Sequence, residues 1–317
     1  MSTRGGVEET LARLAPVTLE EVLASAALQT RVDRKYLVPL DVFAAVLEQV
    51  AGHFSVLEIG GRRLFRYESI YFDTPDRATY HQHAHDRPGR VKVRTRAYLD
   101  TGDCQLEFKR VGRRGETVKE RYPYPLDDRH RLDRSARLLA GDWVGEAVSA
   151  ALLEPVLTTT YLRTTLVDGD ARMTCDLDLR FEDRRGCSYG PLDRLVVVES
   201  KTRGALSRLD RLLIAEGRRP VRLSKYCVGM AVLDPALPAN RWNRELRTWF
   251  DWTPRRPWES APPVCPAPPP RPRWARLHGG ASATQPALPG GGVQQAEIAG
   301  GRLRTRLSAP HRPAGAP

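Results

Sequence analysis

Three cations stand at alternate positions in the stretch RVKVRTRAY, namely Lys92, Arg94 and Arg96. A β-strand repeats every two residues, so a strand here would place all three on one face and Val91 and Val93 on the other. Lysine carries a compact charge, and arginine carries a planar fork that grips phosphate oxygens in pairs. Such a face could bind a phosphate chain, although the charged face of a half-buried strand also simply meets water.

Six further segments alternate in the same way, and nearly every one gathers Lys or Arg on its polar face. They are RVDRKYLV, CQLEFKR, TVKERY, TYLRTTLV, RMTCDLDL and VVVESKT. Their cations are Lys35, Lys109, Lys119, Arg121, Arg163, Arg172 and Lys201. Their acids are Asp33, Glu107, Asp176, Asp178 and Glu199. A sheet whose charged faces merely meet water would show the same period.

The distribution of lysine argues against that simpler interpretation. The chain has 50 basic residues, and only six of them are lysines. All six fall in or beside the alternating segments: Lys35, Lys92, Lys109, Lys119, Lys201 and Lys225. If the strands close with their charged faces inward, the crowded cations would repel one another unless a polyanion lay between them. The carboxylates could then pair with cations or hold a divalent metal that also touches phosphates.

More than half of the net positive charge of the chain comes from its last 64 residues rather than from the alternating segments. The chain of 317 residues is 41% hydrophobic, which supports a real core, and its formal net charge is +12. Residues 254–317 contribute nine arginines against Glu259 and Glu297, so residues 1–253 keep a net charge of only +5. No nucleic-acid-binding motif accompanies this charge, and we expect no nucleic-acid partner. The five cysteines lack CxxC spacing, so neither a disulfide framework nor a zinc site is predicted.

The composition divides the chain into three parts. Residues 1–29 are predicted to form a helical segment, in which Thr18 and Glu21 have the spacing of a capping box. Residues 30–253 hold the alternating segments and further helices. Residues 254–317, with 14 of the 25 prolines, are predicted to be a disordered tail. Such a tail would suit a proline-binding module or an anionic membrane surface as partner.

Two further expectations concern location and metal binding. No apolar run approaches the roughly 18 residues of a membrane span, and the N-terminus lacks the pattern of a signal peptide, so a cytoplasmic protein is predicted. The stretch HQHAH would align His81, His83 and His85 on a strand as a metal triad. It follows the turn-like FDTPD, and a loop without metal is the prediction.

Many short motifs along residues 30–233 resemble the VTC domain, the polyphosphate polymerase domain of the triphosphate tunnel metalloenzymes, a superfamily that also contains the CYTH enzymes. The motifs are RVDRKYLV, YFDTPD, RVKVRTRAY, LEFKR, KERY, LTTTYLRTTL, RMTCDLDL, VVVESK and LSKYCVGM. The resemblance implies an α+β fold, in which an eight-stranded antiparallel β tunnel has a charged interior and helices packed outside.

The resemblance also implies roles for residues. The expected catalytic cations are Lys35, Arg94, Arg96, Lys109, Arg163, Arg172, Lys201 and Lys225, with Lys201 supported mainly by strand parity. The expected substrate-binding residues are Lys92, Lys119, Arg121, Ser224 and Tyr226, of which Lys119 and Arg121 are supported by strand parity. Glu199 resembles the metal-binding glutamate, and Glu107 and Asp176 are the further candidates for a Mn²⁺ or Mg²⁺ ligand.

The activity implied is transfer of the γ-phosphoryl group of ATP to a growing inorganic polyphosphate chain. Two alternatives stay open: an inorganic or nucleoside triphosphatase, and a non-catalytic polyphosphate sensor. CYTH enzymes begin with ExExK, whereas the matching positions here are Arg31, Asp33 and Lys35. The missing first acid weakens the case for a second metal and favours the polymerase over the hydrolase.

Overall fold

Alternating strands and amphipathic segments produce a mixed fold in the computed structural model, which describes residues 3–26, 32–112, 116–146 and 148–255. The strands are β1 (Ala15–Val17), β2 (Val32–Pro39), β3 (Ser55–Leu57), β4 (Phe65–Asp73), β5 (Val91–Tyr98), β6 (Asp103–Val111), β7 (Thr117–Pro123), β8 (Glu154–Asp168), β9 (Ala171–Asp183), β10 (Ser188–Leu192) and β11 (Leu195–Thr202). Arg31 and the predicted tail beyond residue 255 lie outside the described residues.

Eight helices accompany the strands within the described ranges. They are α1 (Thr3–Arg13), α2 (Leu19–Ala26), α3 (Leu40–Val50), α4 (Ala78–Ala84), α5 (Arg134–Val144), α6 (Arg208–Ala215), α7 (Lys225–Leu233) and α8 (Asn243–Trp249). Two short 3₁₀ turns occupy Ala150–Leu152 and Asn240–Trp242. The predicted capping box of α2 forms, because the Thr18 backbone N–H donates to Glu21 and the Glu21 N–H donates to the Thr18 hydroxyl.

Eight strands follow one another in a single sheet in the order β2, β11, β9, β8, β4, β5, β6, β7, and every neighbouring pair on this path is antiparallel. β10 extends the sheet beside β9, and β3 pairs with β8 and with β1. The predicted α+β class and antiparallel sheet are confirmed. Backbone pairing between the end strands, β2 and β7, is absent from the described parts of the chain. Backbone hydrogen bonds among these residues therefore do not close the sheet into a barrel.

Helices α3, α5 and α6 cover the apolar face of this sheet. Phe43 and Leu47 of α3 and Leu209 of α6 pack with Val198 of β11 and Met173 of β9. Helix α5 covers β5 and β6 through a second cluster, in which Trp143 stacks on Phe108 with ring centroids 5.4 Å apart. The opposite face of the same strands is therefore left for the cations, as the two-residue period predicts. Across the described residues, no helix is long and apolar enough to span a membrane.

Helix α7 packs on the inner face of the sheet, whereas the resemblance implied helices packed outside. Its Tyr226 and Val228 share a buried cluster with Leu37 and Val197. Leu37 is two residues from Lys35 in β2, and Val197 is two residues from Glu199 in β11. Side chains two residues apart in a strand share a face, so these apolar side chains lie on the cation-bearing face. The inner face is thus charged along part of its length and apolar where α7 packs. A nearly continuous apolar sequence lets α7 be buried on all sides.

Two local predictions are wrong. The HQHAH stretch lies in and just after helix α4 rather than in a loop, and the His83 ring is buried against the Val91 carbonyl. Asp178 does not share the face of Asp176, because β9 has one more residue than β8 between the paired positions and Asp178 has a φ of 54°. This bulge turns its carboxylate toward α1, where Arg4 lies 3.0 Å away.

Candidate functional site

The polar faces of all eight strands on the path line one cavity of about 330 Å³, which we term the charged cavity. The predicted site residues in its lining are Lys35, Lys92, Arg94, Arg96, Glu107, Lys109, Lys119, Arg121, Arg163, Arg172, Glu199, Lys201, Ser224 and Lys225. Two predicted residues, Asp176 and Tyr226, are buried and do not line it. The residues span positions 35 to 225, so only the sheet order brings them together.

Glu107 holds a cluster of four cations at one side of the cavity. Arg94 donates to it through Nε at 2.7 Å, and Lys119 donates at 2.9 Å. Arg121 lies 3.3 Å and Arg96 lies 3.7 Å from the same carboxylate, whose side chain is only 2% exposed. Burial opposes ionisation, but Arg94, Arg96 and the other cations outweigh it and hold the pKa of Glu107 well below its usual range.

Asp176 forms a second such centre. Arg163 grips it with Nε at 2.6 Å and Nη2 at 2.9 Å, and Lys225 also donates to it. Its side chain is likewise 2% exposed. Burial again opposes ionisation, and the two cations overcome it and lower the pKa of Asp176 to about 2. Both carboxylates therefore stay anionic and fix the directions of the cations around them.

Glu199 is the most accessible of the three predicted metal ligands. Its side chain is 22% exposed, and it accepts from Lys201 at 2.7 Å, with Lys35 at 4.0 Å. Despite burial, these lysines hold its pKa well below the usual range. Burial lowers the pKa of Lys201 to about 8, even though Glu199 favours its charged form. Glu199 thus presents an ionised carboxylate to the cavity, close to cations that could hold phosphate.

Three lysines form a row across neighbouring strands. Lys92 of β5 is directly opposite Lys109 of β6, and Lys109 is opposite Lys119 of β7. Like charges in directly opposed positions destabilise a sheet. Burial, together with the charges of Lys109 and Lys35, lowers the pKa of Lys92 to about 8, and burial also lowers that of Lys109. The row is a site of excess positive charge that an anionic ligand would relieve.

The first turn of α7 contributes the remaining predicted residues. The Ser224 hydroxyl accepts from Lys92 at 2.8 Å and from the Cys227 backbone N–H at 3.2 Å, so it caps the helix and holds the lysine. Lys225 points to Asp176. Tyr226 turns away from the cavity. Its hydroxyl donates to the buried Asp73 carboxylate, outside the cavity lining.

Two aromatic residues beside the cations, Tyr67 and Tyr71, were not predicted from the sequence, whereas alternation places Tyr161 on the face of Arg163. The Arg163 guanidinium lies 4.9 Å from the ring centre of Tyr67 and 5.1 Å from that of Tyr161. The Tyr71 hydroxyl accepts from Arg94 at 3.0 Å. Tyr67 and Tyr71 are four residues apart in β4, so strand alternation would have placed them on one face. The face of β4 that carries these tyrosines has no Lys or Arg, so the pattern of alternating cations did not identify β4.

The donor atoms fit a magnesium or manganese ion only in part. Mg²⁺ commonly takes one or two carboxylates, with substrate phosphates completing its ligands. Glu199 meets this requirement. Glu107 and Asp176 have their oxygens engaged by cations, and no group of three or more His, Cys, Asp or Glu side chains able to hold a metal occurs in the described part of the chain.

The family model described as the VTC domain matches residues 30–234. No curated protein matches the chain. Similar solved structures include a Hippeastrum protein described as a candidate adenylyl cyclase with a dominant triphosphatase activity; the two are 14% identical over 63% of this chain and 95% of that chain, with a TM-score of 0.43. A candidate adenylate cyclase from Bacillus halodurans is 14% identical over 62% and 94% of the two chains, with a TM-score of 0.41.

Proposed function

Because the chain belongs to the VTC domain family, we propose that it is a polyphosphate polymerase that extends an inorganic polyphosphate chain with the γ-phosphoryl group of ATP. The observation that supports this proposal is the convergence of cations from seven of the eight strands on one cavity. Extended polyanions are the ligands that such a lining would neutralise. We further propose that residues 30–253 form the functional unit, and that the open sheet path encloses the substrate as a tunnel.

The proposed reaction needs little from the protein beyond positioning and charge neutralisation. A terminal oxygen of the polyphosphate chain bonds to the γ-phosphorus, and the bond from that phosphorus to the β,γ-bridging oxygen breaks. ADP leaves with the bonding electrons, and the attacking oxygen is already anionic, so no proton has to be removed from it. This agrees with a site that is rich in fixed cations.

The residues take roles that follow from their surroundings. Arg94 and Arg96, directed by Glu107, would grip phosphate oxygens and neutralise charge as it develops on the leaving group. Arg163 of β8 and Lys225 of α7, directed by Asp176, would do the same elsewhere in the cavity lining. Lys35 and Lys201 flank Glu199, which would hold a divalent metal together with substrate phosphates. When bound, such an ion supplies charge neutralisation at the phosphate oxygens.

The test is incubation of the full chain with ATP and Mn²⁺, followed by separation of products on a gel stained for polyphosphate. The wild type should give a ladder, and Glu199→Ala should not. Glu182→Ala is the matched control, since this half-exposed acid pairs with Arg180 outside the charged cavity. Phosphate release without a ladder would replace the proposal with a triphosphatase. Tight polyphosphate binding without turnover would replace it with a sensor.

A further inference from the structure

A second cavity, of about 520 Å³, adjoins the charged cavity, and we term it the side cavity. The two share Asp33, Lys35, Lys92, Lys109, Leu223 and Ser224 in their linings. These shared residues place the two cavities side by side at Lys35, Lys92 and Lys109. A ligand longer than the charged cavity could therefore extend into the side cavity.

The side cavity is strongly basic. Of its fifteen lining residues, seven are Lys or Arg and one, Asp33, is acidic. Arg34 lines only the side cavity, and so do Arg90, Arg222 and Arg241. None of these four belongs to the alternating cations that marked the charged cavity in the sequence. The side cavity therefore adds positive charge. A short triphosphate bound in the charged cavity would not contact these additional cations.

Two of the three lysines shared by the cavities, Lys92 and Lys109, make no ion pair with a carboxylate in the described part of the chain, although Asp33 lines both cavities and Lys35 pairs with Glu199. Four of the six lysines pair with carboxylates, namely Lys35, Lys119, Lys201 and Lys225. Lys92 instead donates to the Ser224 hydroxyl, and within the described residues neither Lys92 nor Lys109 has a carboxylate within 4.0 Å. Because both line the two cavities, the uncompensated charge lies where the cavities meet. An anion bound there would relieve the repulsion between these opposed lysines.

The arginines of the side cavity are arranged to accept an anion. Arg90 and Arg241 contact the same Asp86 carboxylate at 2.9 Å and 2.5 Å, and Arg241 also donates to the His83 carbonyl at 3.0 Å. This fixes their directions and leaves each guanidinium with further donors, since an arginine has five. Arg222 is exposed and makes no ion pair within the described part of the chain.

We propose that the side cavity is the acceptor subsite, which binds the growing polyphosphate chain behind its reactive end while the charged cavity holds the nucleoside triphosphate. The identity of the ligand rests on the proposed function. Transfer would then occur at the junction, where Lys35, Lys92 and Lys109 face both phosphate chains. A linear polyphosphate fits because its charge repeats along an extended chain, and the cations here follow one another from one cavity into the other.

The experiment compares two ligands on the full chain without asking for turnover. Affinities for long-chain polyphosphate and for tripolyphosphate are measured by titration calorimetry at fixed ionic strength. Arg222→Ala and Arg90→Ala/Arg222→Ala are compared with wild type and with Arg131→Ala, a control that removes a 74% exposed arginine outside both cavities. The double variant should bind the long chain about tenfold more weakly and tripolyphosphate within about twofold of wild type.

Further readouts separate this inference from the proposed function. The affinity of the double variant for the long chain should also depend less steeply on salt, because fewer counterions are released on binding. Equal loss of both affinities, or a loss no greater than that of Arg131→Ala, would overturn the acceptor subsite. Displacement of the long chain by a single-stranded oligonucleotide at equal charge concentration would also overturn it. A protein without polymerase activity could still pass this test, so failure of the proposed function would be seen separately.

Discussion

The Tyr226 hydroxyl donates a hydrogen bond to the Asp73 carboxylate, and both side chains are buried. Asp73 also accepts from the backbone N–H groups of Thr74, Thr79 and Tyr80, so it links the start of α4 to the first turn of α7. The Tyr226 ring stacks on Tyr71, with centroids 5.1 Å apart. Because Tyr226 follows Ser224 and Lys225 directly, this contact fixes the turn that presents those two residues to the charged cavity.

Tyr226→Phe should lower the free energy of unfolding by about 1–3 kcal/mol, because it keeps the stacked ring but removes one partner of a buried carboxylate. The measurement is urea unfolding of the full chain. Tyr189→Phe is the control, since its half-buried hydroxyl donates to a backbone carbonyl, that of Phe250, rather than to a buried carboxylate. A loss for Tyr226→Phe that is no larger than that for Tyr189→Phe would contradict the anchoring role.

The contrast between Tyr226 and its neighbours illustrates what the sequence can predict. Alternation identified the cation-bearing faces of seven strands, because a two-residue period is a local property. Alternation could not show that α7 packs on the same face as Lys35, since this depends on long-range contacts. Nor could it show the bulge at Asp178, because one extra residue in β9 is defined only relative to β8. The motif SKY suggested Ser224, Lys225 and Tyr226 as site residues. Ser224 and Lys225 line the charged cavity, whereas Tyr226 is buried and does not line it.

The pairing of carboxylates with cations was equally hidden. The sequence singled out Glu199 only by resemblance and offered Glu107 and Asp176 as further metal ligands, and the cations that surround these two acids follow from the register of β5 to β7 and of β8 with β9. Arg94 and Arg121 are both directly opposite Glu107 in the sheet, one on each side. Register of this kind is set by the whole sheet, and a single segment does not contain it.

Glu107→Gln should destabilise the free protein by about 3–5 kcal/mol, because it leaves a buried group of cations without its anion. Long-chain polyphosphate should then stabilise the variant more than it stabilises wild type, since the ligand replaces the missing charge. Thermal unfolding with and without polyphosphate measures both effects. Glu68→Gln is the matched control, because Glu68 pairs with Arg129 and His130 outside the charged cavity. It should lose stability without any gain in the polyphosphate shift. An equal shift for both variants would contradict the role given to Glu107.

Polyphosphate affinity should fall as the pH rises above about 8. Burial lowers the pKa values of Lys92 and Lys201 to about 8, so both lysines lose their charge in the free protein above that pH. Binding must then restore protons, which weakens affinity by up to about tenfold per pH unit for each proton taken up. Calorimetry with long-chain polyphosphate, whose internal phosphates stay ionised, would measure the fall. Lys92→Arg should make it shallower, and an unchanged pH profile in that variant would exclude Lys92 as a titrating group.

Acid should destabilise the fold through Asp176. Its pKa is about 2 in the folded protein, below the ordinary value of 3.8, so its ionised form stabilises the fold above pH 3.8. That contribution, about 2 kcal/mol, is lost as the pH falls from about 5 through 2. Urea midpoints between pH 5 and pH 3 should therefore decline less steeply for Asp176→Asn than for wild type, although the variant starts lower. Parallel declines would show that the carboxylate is not held ionised by Arg163 and Lys225.

Metal binding should depend on Glu199 more than on Asp176, although the sequence nominated both. Glu199 is 22% exposed to the cavity, whereas Asp176 is 2% exposed and engaged by Arg163 and Lys225. Mn²⁺ affinity in the presence of a non-hydrolysable ATP analogue can be followed by electron paramagnetic resonance of the free ion. Glu199→Gln should weaken it by about tenfold or more. Asp176→Asn should weaken it less, since it removes no accessible oxygen. Removal of the metal with EDTA should abolish turnover but leave long-chain polyphosphate bound, because fixed cations hold the chain. A larger effect from Asp176→Asn than from Glu199→Gln would mean that Asp176 exchanges its cations for the metal when substrate binds.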